Sequence, residues 1–279
     1  MNAMAYIRTL LFVPANRLDR VDKATLIDAG GVVLDLEDAV SPEAKPSARA
    51  ALKDGLFKIQ NSRKLSVVRV NSGAEQELAI DILRGLAPAA VMLPKVQAAA
   101  DIVSFRKSLP NVDIIALVET PSGILNVRDI AENLSPTDAL AFGGEDYATA
   151  MEAKADKQSL NLAAGIVALT ARAFGLPSFG IIGSIAEIND EFEFGESCTR
   201  GRLAGFSGAL TIHPKQVKIA ERIFGPTDEE VDWASAILSD MEAISLGVFR
   251  GRDGKMVDRP VIERARRIMQ KKADGERKT

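Results

Sequence analysis

The chain has 279 residues, of which 47% are hydrophobic and 26% charged, with a formal net charge of −3. That size suits one large core, and the near-balance of charge gives no basic surface for nucleic acid. No run of about 18 apolar residues is present, so no membrane span is expected, and without a secretory-type leader at its start the protein is expected to be cytoplasmic.

Short apolar runs alternate with longer amphipathic stretches, the rhythm of a parallel sheet covered by helices. Strands are predicted at Thr9–Val13, Val32–Leu36, Ser66–Val70, Ala90–Leu93, Ile114–Val118, Ala139–Phe142, Phe179–Ile182 and Gly208–Ile212. Helical patterns lie between them, among others at Arg17–Asp28, Glu75–Arg84, Ala98–Lys107 and Leu160–Phe174. Eight strand–helix units predict an α/β fold, a closed (β/α)8 TIM barrel over residues 1–225. An open doubly wound sheet would carry a glycine-rich phosphate turn early on, and the first turn here, Pro14-Ala15-Asn16-Arg17, has no glycine. A C-terminal helical extension, residues 226–279, follows, with helices at Asp228–Leu246 and Pro260–Lys271. Between these two, Gly247–Asp258 is rich in glycine and charge, and reads as a linker or a lid.

The residue inventory narrows the chemistry. With one cysteine, Cys198, and one histidine, His213, there is no internal disulfide and no multi-cysteine zinc site. Catalysis must then rest on carboxylates, Lys, Arg or a metal. In a (β/α)8 barrel it sits where strands end and run into loops. The predicted strand ends are Asp35-Leu36-Glu37-Asp38, Arg69-Val70-Asn71, Pro94-Lys95, Glu119-Thr120 and Gly143-Gly144-Glu145-Asp146. Singly, such charges are commonly solvated or cap helices. Five consecutive rims, each charged straight after an apolar run, point to a site, although alternation leaves open which side chains turn inward.

Glu119 and Asp146 are the best metal pair. Mg2+ (or Mn2+) takes one or two carboxylates and leaves positions for water and substrate oxygens. An ion there would hold a 2-oxo acid and stabilise an enolate as a carbon–carbon bond breaks. Arg69 offers a planar fork to a substrate carboxylate. Gly143 and Gly144 allow close approach of the backbone and offer N–H donors. Together these suit a retro-aldol or Claisen cleavage.

At these residues the sequence resembles the citrate lyase beta subunit and malyl-CoA lyase family of aldolases. The stretches that carry the resemblance run from Arg8 to about Arg267. They are Arg8-Thr9-Leu10-Leu11-Phe12-Val13-Pro14, Leu34-Asp35-Leu36-Glu37-Asp38-Ala39-Val40, Val68-Arg69-Val70-Asn71, Leu93-Pro94-Lys95-Val96, Val118-Glu119-Thr120-Pro121, Phe142-Gly143-Gly144-Glu145-Asp146-Tyr147, Ile212-His213-Pro214 and Gly254-Lys255-Met256-Val257-Asp258. The resemblance implies Mg2+ on Glu119 and Asp146, Arg69 on the substrate carboxylate, and Glu37 close by as a catalytic group. It implies a CoA thioester as substrate beside the 2-oxo acid. It also implies that Asp258 is the acid/base, carried by a 247–258 lid over a neighbouring subunit's site in a homo-trimer or hexamer.

Other residues have plainer roles to weigh. Arg17 meets a CoA phosphate or is a surface residue. Glu37 orients a metal-bound water or Arg69, and Asp35 and Asp38 fix the loop and cap the helix. Lys95 could form a Schiff base, Glu145 could cap the helix after the sixth strand, and His213 is expected to be structural. The reading is a Mg-dependent lyase of the citryl-CoA, malyl-CoA or citramalyl-CoA type, cleaving a hydroxyacyl thioester to a 2-oxo acid and a short acyl thioester. The alternatives are an acyl-CoA thioesterase, a CoA-independent metal-dependent 2-oxo acid aldolase and a non-catalytic ligand-binding barrel.

Overall fold

The computed structural model describes residues 3–244, 249–251 and 254–276. Its eight parallel strands are β1 (Thr9–Pro14), β2 (Gly31–Asp35), β3 (Leu65–Arg69), β4 (Ala90–Leu93), β5 (Asp113–Val118), β6 (Ala139–Phe142), β7 (Ser178–Phe179) and β8 (Ala209–Thr211). They pair in the order β7-β6-β5-β4-β3-β2-β1-β8. A parallel bridge between Phe179 and Gly208 joins the two ends of that series. With helices between the strands, this is a (β/α)8 TIM barrel, as the sequence predicts.

Both faces of the strands are buried, which is why they read as continuous apolar runs rather than alternating ones. Leu10, Val33, Val67, Met92, Ile115, Leu117, Ala139, Ala141 and Leu210 fill the barrel interior together with Met4 and Ile7 from the segment before β1. The intervening residues, Leu11, Val32, Leu34, Val68, Val91, Ala116 and Leu140 among them, pack outward against the helices. Each fully buried Leu, Ile or Val stabilises by roughly 1.5–3 kcal/mol over its exposed state, so this alternation fixes the phase of every strand. Two positions beyond the interior residues Val33, Val67, Leu117 and Ala141 come Asp35, Arg69, Glu119 and Gly143. The inner face therefore delivers these four to the C-terminal rim.

Two strands are shorter than the sequence predicts. The expected Phe179–Ile182 strand shrinks to Ser178–Phe179. The Phe206 ring fills the space beside Gly180, where a Cβ would come within 2.6 Å of it. The chain then turns away, and the Ile182 N–H bonds to the Ser197 C=O at 3.1 Å. At the end of β8 the Ile212 N–H leaves the ladder for the Gln216 side-chain oxygen at 2.9 Å.

The chain divides into two compact units, Met1–Phe224 and Gly225–Thr279. In the second, helices Asp228–Ile244 and Arg259–Glu276 share a small core of Ala234, Ile237, Val257, Ile262 and Ala265. The first of them opens with a reciprocal cap: the Glu230 N–H donates to Thr227 Oγ1 at 3.1 Å, and the Thr227 N–H to Glu230 Oε2 at 3.0 Å. Of the segment expected to be linker or lid, 247–248 and 252–253 lie outside the described residues. The rest forms an antiparallel pair, Phe249–Arg250 with Met256–Val257. Among the described residues no helix is long and apolar enough to cross a membrane.

Candidate active site

At the C-terminal rim of the barrel the strand ends surround a cavity of about 350 Å³. Asp35, Asp38, Arg69, Glu119, Gly143, Gly144, Glu145 and Asp146 all line it. The five residues singled out for metal and substrate, Arg69, Glu119, Gly143, Gly144 and Asp146, thus share one chamber.

Arg69 is held from behind. Asp35 and Arg69 are register partners on β2 and β3. Arg69 Nε donates to Asp35 Oδ1 at 2.7 Å and Nη2 to Oδ2 at 2.6 Å. Asp35 is fully buried, and its carboxylate also accepts the N–H groups of Glu37 at 2.9 Å and Ala39 at 3.1 Å. It therefore fixes the β2 loop, as the sequence suggests, and orients the guanidinium, a role the sequence does not reveal. Arg69 Nη1 reaches Asp38 at 3.1 Å and Glu37 at 2.9 Å. The Phe12 ring lies 4.9 Å from the guanidinium carbon. Burial opposes the Arg69 charge, but the hydrogen bonds and charge of Asp35 outweigh it and hold its pKa above the usual arginine value.

Glu37, expected to act catalytically, is not among the residues lining the cavity. It is 6% exposed and sits between Arg69 Nη1 (2.9 Å) and Lys95 Nζ (3.3 Å). Neither contact is aligned as a hydrogen bond, so both carboxylate oxygens lack a hydrogen-bonding donor. Burial pushes this carboxyl up to about 7. Its position makes it a partner of Arg69 and Lys95.

Glu119 is 1% exposed at the end of β5. Its Oε1 accepts the Lys95 N–H at 2.8 Å. Lys95 adopts φ +53° to make that contact, a conformation that costs an L-residue about 1–2 kcal/mol. Burial, then the nearby charge of Asp146, raises the Glu119 carboxyl to about 8. The glycine at 143 is required by this carboxylate, because a Cβ there would collide with it. The Gly143 N–H, expected as a donor to a ligand, bonds to the Val118 C=O at 3.2 Å. Gly144 is the first residue of the helix Gly144–Ala150, so its N–H has no acceptor within the helix.

Asp146, on that same helix, faces the cavity and is half-buried. Glu145 does not cap the helix as supposed. Its Oε1 accepts from Ser184 Oγ at 2.5 Å and the Ile185 N–H at 3.0 Å, tying down the loop after β7. Lys95 keeps its proton: burial works against its charge, but Glu37 and Asp38 raise its pKa. A protonated amine cannot attack a carbonyl, which disfavours the Schiff-base role. His213 stands at the start of the helix Pro214–Phe224, where its Nδ1 accepts the Lys215 N–H at 3.3 Å. Arg17 is exposed outside the cavity lining, in a two-bond pair with Asp19, both contacts 2.8 Å. Asp258, in the second unit, accepts the Val261 N–H on Oδ1 at 3.3 Å at the start of the last helix.

As a donor set this rim suits a hard cation. Among the described residues, Asp35, Glu37, Asp38, Glu119 and Asp146 face Arg69 and Lys95 as cationic partners. Among the described residues no three or more His, Cys, Asp or Glu side chains cluster as a closed metal cage. Two carboxylates with open positions are the arrangement Mg2+ accepts.

A family model described as HpcH/HpaI aldolase/citrate lyase matches residues 8–214. A "Citrate lyase subunit beta-like protein" of Deinococcus radiodurans is 36% identical, with 98% of this chain and 100% of that protein covered. A "(3S)-malyl-CoA thioesterase" of Cereibacter sphaeroides is 32% identical over 95% of this chain and 94% of its own length. Among solved structures, the protein CitE from Mycobacterium tuberculosis in complex with magnesium, acetoacetate and coenzyme A superposes with a TM-score of 0.80. That structure is 30% identical and covers 95% of this chain and 98% of its own.

Proposed function

The chain belongs to the HpcH/HpaI aldolase/citrate lyase family, and from that premise we propose that it is a magnesium-dependent carbon–carbon lyase acting on a hydroxyacyl-CoA thioester. The observation that carries this reading is the shared chamber of Glu119, Asp146 and Arg69, with Glu119 buried and short of positive charge.

Glu119 and Asp146 would hold the ion. The chemistry it supplies when bound is neutralisation of the oxygens that gain negative charge as the carbon–carbon bond breaks. Arg69, fixed by Asp35, would exchange its Nη1 contact with the exposed Asp38 for the carboxylate of the 2-oxo acid, and the Gly144 N–H adds a donor. In cleavage the substrate hydroxyl gives its proton to water and becomes the carbonyl of the 2-oxo acid. The bond's electron pair passes to the carbon next to the thioester, which then takes up a proton. Asp258 of the partner subunit gives that proton in cleavage and removes it in condensation, which makes a homo-trimer or hexamer the working form. Glu37 keeps Arg69 and Lys95 in place, and Arg17 exchanges Asp19 for a CoA phosphate. The cytoplasm is the proposed location.

Mixing the protein and Mg2+ with pairs of acyl-CoA and 2-oxo acid, and reading products by mass spectrometry, tests the proposal. Hydroxyacyl-CoA formed only with Mg2+ supports it, and no product from any pair overturns it. The name of the Cereibacter relative favours a second reading, hydrolysis of the thioester. Release of free CoA from a hydroxyacyl-CoA with no 2-oxo acid formed would select that reading.

A further inference from the structure

Arg69 already faces three carboxylates of its own chain. The Nε and Nη2 edge is closed by Asp35, so a second two-bond grip on a carboxylate has to use Nη1. That nitrogen lies 2.9 Å from Glu37 and 3.1 Å from Asp38. The two acids are not equally held. Glu37 is buried and spans two cations, with Oε2 toward Arg69 Nη1 and Oε1 toward Lys95 Nζ at 3.3 Å. Asp38 lines the cavity, and its side chain is 54% exposed. Its hydrogen bond from Arg69 Nη1 is thus a part-exposed ion pair, the weak kind. Asp38 stands at the nitrogen a substrate carboxylate needs, and it is the acid free to leave. Lys95 offers it a second partner. The Lys95 ammonium is 37% exposed and touches the same Glu37 carboxylate that meets Arg69, so the two cations stand a side chain's breadth apart. The charge of Asp38 is felt there, since it helps Lys95 to keep its proton.

Granted the lyase reading above, we propose that Asp38 is a built-in competitor for Arg69 Nη1, holding it until a 2-oxo acid carboxylate takes its place, and that Lys95 is the positioning residue that receives the displaced Asp38. Asp38 then lowers the affinity for every carboxylate ligand of this site, and Lys95 offsets part of that loss by giving the displaced acid a counter-charge. Both effects act on binding and leave the bond-making steps as described.

The test is calorimetric titration of pyruvate, and in parallel of freshly dissolved oxaloacetate, into the Mg2+-loaded parent, Asp38→Asn, Lys95→Met and the double variant. Both side chains are part-exposed, so neither substitution opens a cavity in the core. Asp38→Asn keeps the volume, removes the competing charge and should bind either acid about threefold more tightly, the scale of a part-exposed ion pair. Lys95→Met strands Asp38 on Arg69 and should weaken binding about threefold in the parent. In the Asp38→Asn background the same change should leave binding nearly unaltered, because the two residues act through one contact. Lys95→Arg, which keeps the charge, should bind as the parent does. Equal or weaker binding by Asp38→Asn overturns the proposal. Equal losses from Lys95→Met in both backgrounds overturn it too, since Lys95 would then act on the ligand's charge without Asp38. Either result leaves the lyase reading standing. Neither acid bound by any of the Mg2+-loaded proteins overturns the 2-oxo acid reading and, with it, the role of Asp38.

Discussion

Asp35 and Arg69, register partners on adjacent strands, close a two-bond ion pair beneath the cavity, with Nε–Oδ1 at 2.7 Å and Nη2–Oδ2 at 2.6 Å. Removing one partner leaves the other as an uncompensated buried charge, which typically costs ~3–5 kcal/mol. Arg69→Met should thus lower the unfolding free energy by about that amount, read by urea denaturation. The double variant Arg69→Met/Asp35→Leu should regain part of it. A single variant as stable as the parent would mean that the pair does not form.

Two raised carboxyls at the rim give the metal-free protein a particular pH dependence. Glu119 and Glu37 titrate at about 8 and about 7 in the folded chain, against about 4.3 when unfolded. Between those values the folded state holds more protons than the unfolded one, so stability should fall as pH rises from about 5 to about 8. Saturating Mg2+ favours ionised Glu119 and should flatten the slope. Thermal melts across that range, with chelator and then with Mg2+, check both halves of the expectation. Stability that rises with pH in the chelated protein would contradict it.

Gly143 leaves the space into which Glu119 fits. Gly143→Ala should displace that carboxylate, weaken Mg2+ binding at least about tenfold and cost ~1–3 kcal/mol of stability through overpacking. Gly165, in the helix Lys157–Ala173, has nothing within 4 Å of its would-be Cβ. Gly165→Ala should therefore leave Mg2+ binding unchanged and stabilise by about 0.5–1 kcal/mol. Titration calorimetry and denaturation of the two variants side by side separate a local effect on Glu119 from a general effect of adding a methyl group.

Lys95, kept protonated by Glu37 and Asp38, should not form an imine. Borohydride added with a 2-oxo acid should leave the protein's mass unchanged. A mass gain equal to the reduced adduct, located on Lys95, would return the Schiff-base route.

The barrel was legible in the sequence because both strand faces are buried and the apolar runs are unbroken. The rim was legible because Asp35, Arg69, Glu119 and Asp146 interrupt those runs abruptly. What sequence could not assign was direction. Asp35 and Glu37 stand two residues apart, and either could turn inward. The interior residue Val33 settles the phase for Asp35, whereas Glu37 lies past the end of β2 and folds back between Arg69 and Lys95. The hydrogen bond of the Gly143 N–H to Val118 was not legible because it depends on a neighbour distant in the sequence. The anchoring of Ser184 and Ile185 by Glu145 spans about 40 residues and left no local signal. The shortening of β7 depends on Phe206, which packs beside Gly180 from 26 positions further along.

The central claim is a divalent ion on Glu119 and Asp146 that prepares the chamber for the acid gripped by Arg69. Calorimetric titration of Mg2+ into the parent protein, Glu119→Gln and Asp146→Asn, each with and without a 2-oxo acid, tests it most directly. The account predicts one ion per chain in the parent, 2-oxo acid binding that requires that ion, and a loss of Mg2+ affinity in each variant at least as large as the roughly 10–100-fold seen when a ligand's outer partner is removed. Mg2+ affinity unchanged in either variant, or 2-oxo acid binding indifferent to Mg2+, would contradict it.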